Sequence, residues 1–236
     1  MTHPLPRCRT WILPLTLALY LVLCLAFPAL ASTPDREAVK TTILSGIEAR
    51  YGGKSFSADF VQASTLAALD MNELASGRAW FSHPRKMKWR YLSPERHEII
   101  TNGRELWIYR PEDNQVMRGD ARPFFQNGAG GAFLSDLGKL KSHYTIALDQ
   151  VTPDWAELIL TPLVVPGEAT ETPASELESI RIRVLTPSHQ IQQVTTRNIH
   201  GDTTRFEFSN ILFQPLPDPF FSFKIPDGVS IIDMEE

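Results

Sequence analysis

Residues 56–62 read Phe56-Ser57-Ala58-Asp59-Phe60-Val61-Gln62, and this stretch decides the fold class. Its phenylalanines and alanine alternate with serine, aspartate and valine, so one side of an extended chain is aromatic and apolar. Successive side chains of a β-strand point to opposite faces, and a period of two is therefore typical of a half-buried strand. The stretch predicts a strand with one face on the core.

Short segments of the same kind follow along most of the chain, with turn residues between them. They are Glu73–Ser82, Lys86–Leu92, His97–Thr101, Glu105–Arg110, Gln115–Arg118, Tyr144–Leu148, Ala156–Thr161, Leu177–Leu185, Ile191–Thr196 and Thr203–Phe208. Closely spaced alternating segments are typical of antiparallel pairing. The sequence predicts a mainly β protein with helices, built on one large curved antiparallel sheet.

Before the first strand the period changes from two to four. Apolar residues recur at Val39, Ile43, Ile47 and Tyr51. Thr33-Pro34 has the composition of an N-cap followed by proline at the first helical position, and Gly52-Gly53 ends the pattern. We expect one amphipathic helix over Thr33–Tyr51.

Two further segments interrupt the sheet. Pro123–Lys141 combines glycines with later leucines, which predicts a flexible loop leading into a short amphipathic helix. Pro162–Ser175 is rich in Pro, Thr and Glu without periodicity and predicts a surface loop. The acidic end, Asp233–Glu236, is interpreted as a solvated tail.

The N-terminus has the three parts of a secretory signal peptide. Arg7 and Arg9 precede an apolar run from Trp11 to Ala26, and Ala29-Leu30-Ala31 is an A-x-A cleavage site. Residues 1–31 are therefore predicted to be a signal peptide and residues 32–236 a single domain. A transmembrane anchor is the alternative, but the run is short and proline interrupts it. A lipoprotein signal acylated at Cys24 is disfavoured because Leu23 precedes that cysteine.

Cleavage after Ala31 would remove Cys8 and Cys24, and a chain without disulfides must be held by its core alone. It also lowers the 23 Lys and Arg residues by two to 21, against 27 Asp and Glu, a formal net charge of −6. That charge disfavours nucleic acid or an anionic membrane surface as the main partner.

Motifs for chemistry are scarce. The remaining histidines, His83, His97, His143, His189 and His200, have no spacing typical of a metal site. No nucleophile elbow, phosphate-binding loop or dinucleotide fingerprint occurs. His200-Gly201-Asp202 fits a hairpin turn better than a catalytic pair. We expect no enzyme, no metal and no cofactor.

Aromatic and sulfur-bearing residues are concentrated on the predicted strands between positions 80 and 117. They are Trp80, Phe81, Met87, Trp89, Tyr91, Trp107, Tyr109 and Met117. An ordinary core would explain them. A single curved sheet with one long helix, however, leaves a concave face to cover, and a large, partly filled apolar concavity is a lipid site.

Four stretches, in order, resemble the LolA family of periplasmic lipoprotein carriers. The opening strand Phe56–Gln62 resembles the family's F-x-A-x-F-x-Q pattern. Gly77–Pro94, with its Met87-Lys88-Trp89 and two prolines, and Asn102–Val116, with Leu106-Trp107-Ile108-Tyr109, resemble the next two. Phe221–Val229 resembles the closing F-x-F-x-x-P-x-G-V strand. The resemblance covers nearly all of the predicted mature chain.

The resemblance implies an incomplete, strongly curved antiparallel β-barrel with a helical lid over an apolar cavity. It also implies a periplasmic chaperone that receives acylated lipoproteins from an inner-membrane lipoprotein-releasing transporter and passes them to an outer-membrane acceptor lipoprotein. A shuttle of this kind is most simply a monomer. A carrier of another lipid, such as a glycolipid or polyene lipid, and a lipid-sensing regulatory module remain alternatives.

Site residues are expected on three parts of this fold. The cavity would be lined by Phe81, Met87, Trp89, Tyr91, Trp107 and Tyr109. The lid would contain Phe133, Leu134 and Leu137. In the family an arginine before the first of those prolines holds the lid, but here His83 has that position and Arg85 lies beyond Pro84. We expect the lid latch to involve His83 or Arg85.

Overall fold

The computed structural model describes residues 35–126, 134–135, 137–163 and 177–234. The predicted signal peptide, most of the glycine-rich loop and the loop at 164–176 lie outside the described residues. Within the described ranges, no helix is long and apolar enough to cross a membrane.

The long helix forms as its four-residue period predicts. Helix α1 spans Arg36–Tyr51 and buries Ile43, Ile47 and Tyr51 along one side. Its cap differs from the prediction, because the Asp35 side chain accepts a hydrogen bond from the backbone N–H of Glu37. An aspartate here satisfies a free N–H of the first turn, so the predicted cap at Thr33 is wrong.

Twelve strands among the described residues form one sheet. They are β1 Phe56–Leu66, β2 Met71–Ser82, β3 Lys86–Ser93, β4 His97–Thr101, β5 Glu105–Arg110, β6 Gln115–Asp120, β7 Tyr144–Val151, β8 Trp155–Pro162, β9 Leu177–Leu185, β10 Gln190–Asn198, β11 Thr203–Phe213 and β12 Ser230–Asp233. Short α-helices, α2 at Arg122–Gln126 and α3 at Leu140–His143, lie between β6 and β7. Three-residue and four-residue 3-10 helices occur at Ala67–Leu69, Leu137–Lys139 and Asp218–Phe221.

The strand order is β12-β6-β5-β4-β3-β2-β1-β11-β10-β9-β8-β7. Strand β1 lies in the middle, with consecutive hairpins β2–β6 on one side and β7–β11 on the other. All pairs are antiparallel except β12 with β6. The open, curved, mainly antiparallel sheet confirms the predicted mainly β fold class. The helical lid and the apolar cavity stay predictions.

The two faces of the sheet differ in character. One face, which we call the helix face, packs against α1 and carries the main hydrophobic core, including Phe60, Trp89 and Ile182. The opposite face carries charged pairs such as Lys88 with Glu98 at 3.0 Å. This division follows from the two-residue period of the strands.

The C-terminal segment corrects two expectations. Phe221–Val229 is not a strand: a 3-10 helix ends at Phe221, and the chain then runs without sheet pairing until β12. Asp233 is not part of a solvated tail, because it pairs with Arg118 at 2.8 Å while β12 runs parallel to β6. The last strand of the sheet is therefore Ser230–Asp233, which directly follows the predicted strand Phe221–Val229.

Candidate functional site

Four of the predicted cavity residues lie together on the helix face. Phe81, Met87, Trp89 and Tyr91 are all buried in the main core. Register brings them there, because Phe81 is opposite Met87 in the β2–β3 pair and positions 87, 89 and 91 share one side of β3. The structure thus places these residues side by side, and lipid binding by them remains a prediction.

Trp89 is at the centre of an aromatic cluster. Its ring centroid lies 4.8 Å from that of Phe60, 5.4 Å from Phe81 and 5.0 Å from Phe206. The first two contacts are edge-on, which is a favoured arrangement for aromatic pairs. The cluster joins β1, β2, β3 and β11 across the middle of the sheet.

Gly77 allows two rings of this cluster to meet across β2. It lies between Phe60 on β1 and Tyr91 on β3, whose ring centroids are 5.0 Å apart. A Cβ at Gly77 would lie 2.0 Å from the carbonyl oxygen of Arg90 and 3.0 Å from the Phe60 ring. Glycine is therefore required by close approach of the backbone rather than by a turn.

Polar groups are embedded in the aromatic part of the helix face. The Tyr91 hydroxyl donates to Oε1 of Gln62 at 2.8 Å, and burial raises the pKa of this tyrosine. The His97 ring stacks on Tyr91 at 4.1 Å. Burial lowers the pKa of His97, opposed by the hydrogen bond to the Glu95 carbonyl and reinforced by the charge of Arg110.

The other half of the helix face is aliphatic. Its fully buried residues on β8, β9 and β10 are Ala156, Leu158, Leu160, Ile180, Ile182, Val184 and Val194. The site prediction did not include them. Their signal was present, because Ile180, Ile182 and Val184 alternate with arginines along β9. A ligand on the helix face would meet this aliphatic half as well as the aromatic one.

Trp107 and Tyr109 do not lie with the other predicted cavity residues. Trp107 is opposite Ile100 in the β4–β5 pair, and both belong to a separate cluster with Val116. That cluster is on the opposite face, where Phe223 covers Tyr109 with ring centroids 5.2 Å apart. Their placement in the cavity is corrected, because β4 and β5 pair in a register that turns positions 107 and 109 away from Trp89.

The segment predicted as a lid contributes to the cover of the helix face where it is described. Leu134 and Leu137 are buried in the main core, and Leu140 follows them. Phe133 lies outside the described residues. The backbone N–H of Arg85 donates to the carbonyl of Ser135 at 3.1 Å, and the Arg85 guanidinium lies 5.8 Å from the Phe125 ring. The β2–β3 turn, which also contains half-buried His83, therefore contacts this segment.

Helix α1 is fastened to the sheet at both ends by arginines. Near its start, Arg36 donates to the carbonyls of Leu148 and Asp149 at the end of β7. Near its end, Arg50 donates to the Ser188 carbonyl at 3.3 Å and to Oε1 of Gln190 at 3.2 Å. These contacts hold the helix over the aliphatic half of the helix face.

An open groove of about 300 Å³ lies near β1, β10 and β11. Arg183, Gln193 and Glu207 are among its lining residues. An open groove that exposes charged and amide side chains suits solvent better than hydrocarbon, because apolar ligands are favoured by apolar, enclosed surroundings. The helix face is therefore the candidate site for an apolar ligand.

This chain is similar to proteins of a known family over most of its length. The family model of the outer membrane lipoprotein carrier protein LolA matches residues 52–224. An outer-membrane lipoprotein carrier protein from Coxiella burnetii (strain RSA 331 / Henzerling II) is 28% identical over 196 residues, which cover 81% of this chain and 86% of the relative. One from Francisella tularensis subsp. tularensis (strain WY96-3418) is 25% identical over 180 residues, or 76% and 82%.

Among solved structures, an uncharacterised conserved protein from Thermus thermophilus superposes with a TM-score of 0.51 at 11% identity. The match covers 83% of this chain and 99% of that protein. At this identity the likeness shows a shared fold.

Proposed function

Because this chain belongs to the LolA family of outer membrane lipoprotein carrier proteins, we propose that it binds the acyl chains of lipoproteins and carries them through the periplasm. The helix face would hold the chains, and α1 with residues 134–135 and 137–143 would form its cover. The partners would be an inner-membrane lipoprotein-releasing transporter and an outer-membrane acceptor lipoprotein. No catalytic step is part of the proposal.

One observation supports this role above the others. The helix face is largely apolar from Leu160 on β8 to Trp89 on β3, and its cover meets it mainly through apolar residues such as Ile47 and Leu137. Contacts of this kind are not directional, so acyl chains can take the place of the apolar side chains of the cover. A closed, empty carrier and an open, loaded carrier then differ mainly in which apolar groups lie against the sheet.

Energetics favour an exchange of this kind over tight binding. Burial of one CH₂ stabilises by roughly 0.8 kcal/mol, so on the order of 40 methylenes represent ~30 kcal/mol. That gross figure exceeds the ceiling of about 18–21 kcal/mol for noncovalent complexes. Acyl chains must first displace the cover from the helix face. The free energy of closing the empty carrier therefore lowers the net affinity for acyl chains and allows their release to an acceptor.

The deciding experiment compares an acylated lipoprotein with the same polypeptide carrying serine in place of its acylated cysteine. The purified mature protein should form a soluble complex with the acylated form alone. Mass spectrometry of lipid that copurifies should then identify acyl chains on protein. Equal binding of both forms would contradict acyl recognition, and a copurified free glycolipid or polyene lipid would indicate a different cargo.

A further inference from the structure

The indole N–H of Trp89 is a hydrogen-bond donor buried in the aromatic part of the helix face. Trp89 is 1% exposed, and its ring nitrogen has no acceptor among the residues that the structure describes. The buried tyrosines of the same core differ. The Tyr51 hydroxyl accepts from the backbone N–H of Ile191 at 3.0 Å, and the Tyr91 hydroxyl donates to Gln62.

A donor left without an acceptor in an apolar core is unfavourable. Buried polar groups in proteins are almost always hydrogen-bonded, and each exception calls for an explanation. Phenylalanine at position 89 would give nearly the same aromatic contacts without this cost. Four of the rings around Trp89 are those of Phe60, Phe81, Phe206 and Phe208. The Tyr91 ring, whose hydroxyl donates to Gln62, stacks on Trp89 at 6.5 Å.

A bound acyl chain brings the matching group. Its hydrocarbon part has no polar atoms, but its ester or amide linkage has a carbonyl oxygen that also needs a partner once buried. We propose that the Trp89 N–H donates to an acyl carbonyl of the ligand in the loaded state. This inference rests on the proposed function and adds a fixed polar contact to it.

The contact would also orient the ligand. Trp89 lies in the aromatic half of the helix face, whereas β8 and β9 present the aliphatic residues Leu158, Leu160, Ile180 and Ile182. With the carbonyl held at Trp89, the tail extends over this aliphatic half beneath α1. The protein part of a lipoprotein would then leave from the side of the site nearer β3 and β4.

A matched pair of probes tests the contact. Dipalmitoylglycerol has two ester carbonyls, and dihexadecylglycerol is the ether analogue without them. Both are measured by displacement of a fluorescent fatty acid from the wild type, Trp89→Phe and Trp80→Phe. Trp80 is the matched control because it lies on the opposite face, where its ring contacts Phe220.

The expected result is a change in the ratio of the two affinities. Loss of one neutral hydrogen bond should lower the preference for ester over ether about fivefold in Trp89→Phe, and Trp80→Phe should keep the wild-type ratio. An unchanged ratio in Trp89→Phe overturns the inference and leaves acyl binding intact. That result is also expected if a neighbouring ring face accepts the indole N–H.

A second measurement covers the case in which Trp89→Phe does not fold. The infrared stretch of a ¹³C-labelled ester carbonyl, bound to the wild type, should lie at lower frequency than in an alkane solvent. A band at the alkane position would overturn the inference without any variant. If the wild type binds neither probe, the proposed function fails and this inference fails with it.

Discussion

Met87 offers the sharpest single-residue test of the helix face. It is fully buried between Phe81 and Thr101 on the neighbouring strands. Met87→Glu would place a carboxylate in the proposed acyl path, and cargo binding should be lost. The same change should lower the free energy of unfolding at neutral pH by roughly 3 kcal/mol, because a buried charge lacks solvation.

The pH dependence of that loss identifies its cause. Burial raises the pKa of the introduced carboxyl above its unfolded value of about 4.3, so the destabilisation is largest at neutral pH and shrinks as pH falls toward about 4.3. Thermal melts across this range measure it. The matched control is Leu74→Glu, which adds the same charge at an exposed site of β2 on the face away from the core. Normal cargo transfer by a folded Met87→Glu variant would contradict the site.

Residue parity explains which side chains could be placed from sequence. Positions 81, 87, 89 and 91 were predicted to share one face, and they do, because the β2–β3 register keeps Phe81 opposite Met87 across Pro84. Trp107 was misplaced because its face depends on how β5 pairs with β4 after the turn at 102–104. The unpaired N–H of Trp89 could not be predicted from sequence either. A missing hydrogen-bond acceptor is recognised only when the positions of all neighbouring residues are known.

At the scale of elements, α1 should be loosened by removing its arginine contacts. Arg50→Met or Arg36→Met deletes hydrogen bonds to backbone carbonyls, which should lower the free energy of local opening of α1 by about 1–2 kcal/mol. Amide hydrogen exchange of residues 36–51 measures this opening. Cargo should also dissociate faster from these variants if α1 is part of the cover.

Lys40→Met is the control for this pair. Lys40 forms its ion pair with Glu37 inside the helix at 2.7 Å, so its loss should change exchange by no more than a few tenths of a kcal/mol. Equal effects of all three substitutions would indicate altered helix propensity rather than loss of docking.

The β2–β3 turn is the second element that can be tested, here as the latch of the predicted lid. Histidine gains a donor and a charge on protonation, so a latch through His83 should hold better in mild acid than at neutral pH. His83→Arg should then retain cargo longer and abolish the pH dependence, whereas Arg85→Ala should leave it unchanged. Cargo retention at both pH values measures this.

The structure adds one contact that side-chain substitution does not remove. The Arg85 backbone N–H donates to Ser135 whatever the side chain at position 85. Retention that is identical in the wild type, His83→Ala and His83→Arg would therefore exclude the imidazole and leave the side chain or the backbone of Arg85 to hold the segment.

Elements with strong periodicity were predictable, and long-range ones were not. Helix α1 and strands β1–β11 follow from local alternation, and their observed bounds extend the predicted ones by a few residues at most places. Strand β12 has only four residues and pairs in parallel with β6, more than a hundred positions earlier. Nothing local in Ser230–Asp233 encodes that partner, so the strand was not predicted and its last residue, Asp233, was assigned to a solvated tail.

For the whole molecule, the main prediction concerns the start of the mature protein. Cleavage after Ala31 should give a chain that begins at Ser32, since an A-x-A site follows the apolar run. Intact-mass analysis of a periplasmic extract measures this directly. A mass that includes residues 1–31, or an acyl group on Cys24, would contradict it.

The central position of β1 has a consequence for how the chain folds. Phe56 at the start of the sheet pairs with Phe213 near its end, whereas β2–β6 and β7–β11 form through neighbouring hairpins. Such non-local pairing gives a high contact order, and chains of this kind fold in about milliseconds to seconds. The two hairpin arrays should therefore form first and join along β1 and β11 last. Until synthesis reaches Thr203, one edge of phenylalanine-rich β1 has no partner strand, and unpaired edges of this kind promote aggregation.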